Sequence, residues 1–283
     1  MKQLLVKQTE HIDEDFILKK CNNLLKEAEI KKAPIDPKIL ASFCDIKMVN
    51  EKKMNEAGML IPLKQGGAKI LLRLSDNSRR KRFTCCHEIV HTFFPDYQLN
   101  PQKRVDEETG IYDNKNNTEY LCDLGASELL IPSFLFNPKF ETMGFSMGTL
   151  QRLADDFDSS LEATAIKMVK TDLDNKAMIV WEEQFKPKQY PEINTLNLPG
   201  FEKYKTQKKL RIKFGYGFNN FNYLPKFKSL EEDKDIILKS YNHDIALEGK
   251  EKINFGNFSI NCLVYSLPIL TMGSKKIITL LEK

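Results

Sequence analysis

The segment Arg82-Phe83-Thr84-Cys85-Cys86-His87-Glu88-Ile89-Val90-His91 carries two histidines four positions apart, with an acid directly after the first. The run from Phe83 to Phe94 is long and apolar enough for a buried helix, which Pro95 stops. Residues i and i+4 stack on one helix face, so His87 and His91 can reach one metal ion. Glu88 is turned about 100° from His87 by the helical rise. It flanks such an ion without binding it, where a general base for a bound water sits. Two imidazoles on a buried helix are otherwise hard to satisfy, and a metal satisfies both. With 4 histidines and 39 acidic residues in 283 positions, the pattern arises by chance in about 1% of such chains. A third donor is therefore needed before it reads as a catalytic site.

The only later histidine, His243, falls in what reads as a second domain. Asp96, Asp106, Glu107, Glu108 and Asp113 lie in a polar stretch, 96–115, that reads as a long loop, where a carboxylate is ordinarily just solvated. Glu119 differs: it opens the next helical pattern, 119–130, and Asp123 follows four residues later on the same face. One of these carboxylates can ligate the metal while the other orients a ligand histidine through its second nitrogen. Glu128, nine residues from Glu119, points the opposite way on a continuous helix. Tyr97 and Tyr120 are near enough in sequence to be candidates for stabilising an oxyanion, but each reads first as an ordinary half-buried tyrosine. Two imidazoles and a carboxylate suit zinc (Zn2+) and also accept Mn2+ or Fe2+.

Working outward, Phe16, Ile17, Cys21, Leu24, Leu25 and Ala28 recur at three- and four-residue spacing and predict an amphipathic helix over 13–32. A shorter helix follows Pro37. Two apolar runs flank Gly66-Gly67 between Met59 and Leu74, the composition of a hairpin, and Pro62 marks its strand as an edge. The basic run Arg79-Arg80-Lys81-Arg82 reads as a solvated flank at the start of the histidine helix. A helix pair is expected over 149–169 with its turn at Asp158-Ser159-Ser160. Beyond Asp174 the character changes to strand-like runs at 176–181, 209–214, 260–265 and 277–281, so a domain boundary is placed near Thr171.

The balance of 43 basic against 39 acidic residues leaves a net charge of +4, too little to imply a phosphate-binding surface over the whole molecule. The first residues lack a secretory apolar core, and no window approaches the roughly 18 apolar residues of a membrane span. Six scattered cysteines without a C-x-x-C pair fit a reducing cytoplasm, each as a small buried hydrophobe.

Two blocks, RFTCCHEIVH (82–91) and EYLCDLGASELLIP (119–132), resemble the ImmA/IrrE family of metallopeptidases, with Asp123 where Asn is usual and Ile131 where Met is usual. The resemblance implies His87, His91 and Glu119 as zinc ligands and Glu88 as catalytic base, a gluzincin-like arrangement. It implies an α+β fold: a zincin-like metallopeptidase domain over 1–145, a helix-turn-helix-like segment over 146–172, and a GAF-like α+β sensor or regulatory domain over 173–283. Asp155, Asp156 and Asp158 in the helical segment suit it poorly to DNA phosphates, so direct nucleic-acid binding is not expected. The activity implied is a zinc-dependent metalloendopeptidase that cleaves a helix-turn-helix (XRE-type) repressor, releasing stress-response (DNA damage) or mobile-element genes. The alternative is a non-proteolytic regulator that binds a repressor or toxin and keeps a structural metal. All recognisable chemistry lies between His87 and Asp123, and the region after Thr171 is expected to tune access to it.

Overall fold

A computed structural model describes residues 12–95, 97, 102–104, 117–186, 208–218, 227–230, 235–255, 259–271 and 274–283. The fold is α+β, in two compact units: Met1–Thr142 with Leu153–Ser160, and Met143–Arg152 with Leu161–Lys283. No helix among the described residues is long and apolar enough to cross a membrane.

In the first unit, α1 (Glu14–Glu27) starts at Asp13, whose carboxylate accepts from Phe16 N at 2.9 Å, and it buries Ile17, Cys21, Leu24 and Leu25. A cap of this kind is worth about 1 kcal/mol. Helix α2 (Pro37–Phe43) is capped by Asp36, with Pro37 at its first position, where the missing N–H costs nothing. Strands β1 (Ile46–Lys52), β2 (Gly58–Pro62), β3 (Ala68–Arg73) and β4 (Gln102–Arg104) form one sheet in the order β1-β3-β2-β4. The expected hairpin joins β2 to β3, and Gly66 and Gly67 take φ of 90° and 74° in its turn, a region other residues avoid.

Two expectations change here. Pro62 does not mark an edge strand: β2 is interior, and it tolerates the proline because β4 pairs only with Gly58–Leu60 among the described residues. The stretch expected as an unbroken loop supplies β4, while Asp96, Asp106, Glu107, Glu108 and Asp113 lie outside the described residues.

Helix α3 (Ser78–His91) begins five residues earlier than its apolar run, capped by Asn77, and buries every residue from Thr84 to His91. The basic run thus forms the first turns of the helix, where Arg80 is exposed and the cations have acidic partners. Arg79 pairs with Asp155 and Asp158, Arg82 with Asp158, Arg80 with Asp76, and Lys81 with Glu51. Helix α4 (Asn117–Leu130) packs on α3 and α1. A further helix, α5 (Ser133–Met143), has no counterpart among the expected elements and runs through Pro138. Glu128 caps it, its two carboxylate oxygens accepting from Ser133 N and Oγ at 2.9 Å each. Phe136 stacks on Phe140 and lies 5.8 Å from Phe157, anchoring α5 in the core.

Helices α6 (Met147–Asp156) and α7 (Leu161–Lys170) are the expected pair, with Asp158 at φ 48° between them. The second unit contains an antiparallel sheet of β5 (Lys176–Gln184), β6 (Lys209–Gly217), β7 (Leu247–Asn254), β8 (Ser259–Thr271) and β9 (Ser274–Glu282), in the order β6-β5-β9-β8-β7. All four strand-like runs fall within it. Helix α8 (Ile236–His243) packs on β7, β8 and β9 over a core that includes Trp181, Ile212, Ile237 and Val264. Trp181 is fully buried and donates its indole N–H to Thr279 Oγ1 at 3.1 Å, so its one polar group is satisfied.

Candidate metal centre

Helices α3 and α4 approach closely enough for their side chains to share one site, and a glycine is the reason. A Cβ on Gly125 would stand 2.7 Å from Val90 Cγ2 and 3.0 Å from Ile17 Cγ2, so any larger residue would push α4 away from α3 and α1. Glycine inside a helix costs about 1 kcal/mol relative to alanine. Here it sets the distance across which Glu119, Cys122 and Asp123 face His87 and His91.

Both histidines are buried, at 1% and 2% exposure. Their Nε2 atoms lie 3.1 Å apart. Glu119 reaches the same point, with Oε2 at 3.1 Å from His87 Nε2 and Oε1 at 3.5 Å from His91 Nε2. Donors held about 2.0–2.1 Å from a tetrahedral zinc ion stand about 3.3 Å from one another. The separations of 3.1, 3.1 and 3.5 Å lie near that value, the two to Glu119 being to its two different oxygens, so the three side chains converge at the spacing that holding one such ion requires. Burial by itself raises the Glu119 carboxyl, but the His87 hydrogen bond and the charges of His87 and His91 outweigh it and hold the group below the usual carboxylate range. It is therefore a carboxylate, the form that ligates.

Behind this point, Asp123 Oδ1 lies 2.7 Å from His87 Nδ1. Cys122 Sγ lies 3.4 Å from His91 Nδ1. His87, His91 and Cys122 also form a group whose potential ligand atoms all fall within 4.8 Å of one another, so a His-His-Cys site is the geometric competitor to the His-His-Glu one. The reading of Cys122 as mere packing missed this contact, although the i, i+3, i+4 spacing of Glu119, Cys122 and Asp123 could have shown it.

Glu88 is fully buried. A Cβ on Gly58 of β2 would stand 2.6 Å from Glu88 Oε1 and 2.3 Å from Thr84 Cγ2, so the bare glycine provides the seat for this carboxylate. Cys85 and Cys86 are buried beside the motif, and burial pushes the Cys85 thiol up to about 12 and Cys86 well above its ordinary range. Neither is a reactive thiolate at neutral pH. Tyr120 directs its hydroxyl to Glu14 Oε1 at 2.8 Å, on α1, and Tyr97 follows the turn at the end of α3. His243 lies on α8 in the second unit.

Residues 44–169 match the model of the Peptidase M78 family, described as the IrrE N-terminal-like domain. No curated protein matches the chain. Among solved structures, one described as a Mycobacterium tuberculosis transcriptional regulator is similar, with a TM-score of 0.56 at 8% identity, over 95% of this chain and 80% of that one. At that identity the likeness is one of fold.

Proposed function

As a member of the ImmA/IrrE family through its IrrE N-terminal-like domain at residues 44–169, the chain is, we propose, a metal-dependent endopeptidase that cleaves a helix-turn-helix (XRE-type) repressor. The observation that carries this reading is the convergence of His87 Nε2, His91 Nε2 and the Glu119 carboxylate within 3.1 to 3.5 Å of one another. These three residues would hold the ion, zinc by preference, in a zincin-like domain. A bound zinc supplies an acidified water and a Lewis acid for the scissile carbonyl. Glu88 takes the proton from the attacking water and returns it to the leaving amine. Asp123 accepts from His87 Nδ1–H and so would leave the Nε2 lone pair for the ion that His91 and Glu119 would share. The stress-response or mobile-element genes under the repressor, the cytoplasmic setting and a GAF-like sensory role for residues 173–283 complete the proposal.

The competing reading, a regulator that binds a repressor or toxin without cutting it, draws on the His87–His91–Cys122 grouping, because thiolate sets are common in closed structural zinc sites. A buried acid directly after the first histidine favours the enzyme, since a structural site needs no base.

The test is incubation of the zinc-loaded full chain with the XRE-type repressor encoded nearest to it, followed by mass analysis of the repressor. One specific cut is expected, slowed about 10² to 10⁴ in Glu88→Gln, which keeps its metal. A repressor that is bound but left whole by the loaded protein would establish the non-proteolytic reading.

A further inference from the structure

Each histidine of the site has two ring nitrogens, and Glu119 together with Asp123 accounts for only three of the four. His87 presents Nε2 to Glu119 and Nδ1 to Asp123; His91 presents Nε2 to Glu119 and Nδ1 to Cys122. We propose that Cys122 is a positioning residue whose sulfur accepts the Nδ1–H of His91 and so turns the Nε2 lone pair of that ring to the metal. This inference rests on the metal-site reading above.

The two edges of the His91 ring decide the matter. The ion position defined by His87 Nε2, His91 Nε2 and Glu119 lies off the Nε2 edge, whereas the Cys122 sulfur lies off the Nδ1 edge, 3.4 Å away, a hydrogen-bonding distance for sulfur. An ion bound at Nε2 therefore cannot also be held by that sulfur. A His-His-Cys site would need His91 to bind through its other nitrogen and would leave Glu119 out. Two tautomers of His91 are open to it. When the thiol donates to Nδ1, the proton resides on Nε2 and the ring cannot ligate; when Nδ1–H donates to sulfur, Nε2 is free to do so. Binding at Nε2 selects the second.

Helical spacing supplies the independent support. Glu119, Cys122 and Asp123 stand at i, i+3 and i+4 on α4, one face of the helix, opposite His87 and His91 at i and i+4 on α3. The face therefore presents one ligand and two ring-orienting acceptors, one for each histidine. Cys122 is fully buried, so no bulk water competes for the Nδ1–H. Sulfur is a weaker acceptor than a carboxylate, which makes His91 the less firmly held of the two rings.

Cobalt(II) added to the full chain separates the possible roles, because a cobalt–thiolate bond gives an intense near-ultraviolet charge-transfer band that nitrogen and oxygen ligands do not. The wild type is expected to show visible d–d bands without that band. Cys122→Ala should keep the d–d spectrum but bind cobalt about tenfold more weakly, the low end for loss of a ligand-orienting partner. Cys122→Ser, whose hydroxyl accepts the same hydrogen, should recover most of that loss. The melting temperatures of the metal-free variants register packing separately. A charge-transfer band in the wild type that Cys122→Ser abolishes would make Cys122 a ligand and overturn the proposal. Unchanged cobalt affinity in Cys122→Ala would overturn it in favour of packing. A wild type that binds no cobalt would remove the metal site itself, and the proposed peptidase with it.

Discussion

Asp123 Oδ1 accepts from His87 Nδ1 at 2.7 Å, on the opposite edge of the ring from the Nε2 that faces Glu119. The two carboxylates of α4 are thus divided between the two edges of one imidazole. Removing Glu119 with Ala should cost far more metal affinity than Asp123→Asn, for which a 10- to 100-fold loss is the upper expectation. His87→Ala and His91→Ala should each abolish stoichiometric binding. Elemental analysis and chelator competition measure all four, and a larger loss in Asp123→Asn than in Glu119→Ala would exchange the two roles.

Two glycines offer separate handles on geometry. Gly58→Ala places a methyl group 2.3 Å from Thr84 Cγ2 and 2.6 Å from Glu88 Oε1, so it should lower turnover towards the level of Glu88→Gln with a smaller loss of metal than Gly125→Ala causes. Gly125→Ala meets Val90 at 2.7 Å and should instead spread α3 from α4, weakening metal binding and lowering the melting temperature together. Equal effects of the two on metal content would refute this division of labour.

A metal bound only by the folded chain stabilises it by mass action, about 2.7 kcal/mol at a free concentration one hundred times Kd. For a chain of 283 residues that is a shift of about 4–5 °C. Thermal melting of the loaded protein with and without chelator should show it, whereas His91→Ala should melt at the same temperature in both.

Burial holds the Cys44 and Cys262 thiols up at about 11 and Cys85 at about 12. A raised thiol stays protonated as pH climbs through 8, where an unfolded cysteine is already partly thiolate. Native labelling by a disulfide reagent at pH 8 should therefore be at least about 100-fold slower at these three positions than in denaturant, the gap closing only as pH approaches 11. Peptide mapping of the labelled sites would expose a fast native site among them.

The sequence by itself determined what is local. The placing of His87 and His91 on one helix face and of Glu119 and Asp123 on another follows from 3.6 residues per turn, while turn composition gives the hairpin at Gly66-Gly67 and short apolar runs give the strands after Asp174. Tertiary structure decided what depends on partners distant in the chain. Arg79 and Arg82 look like free cations until Asp155 and Asp158 are folded against them, and Pro62 looks like an edge residue until β2 is placed between β3 and β4. Cys122 looks like filler until α4 docks on α3, at a separation that the missing side chain of Gly125 permits. Periodicity says which face of a helix a residue occupies. Which ring nitrogen meets which acceptor is fixed only when two faces, thirty residues apart in the chain, come within hydrogen-bonding distance.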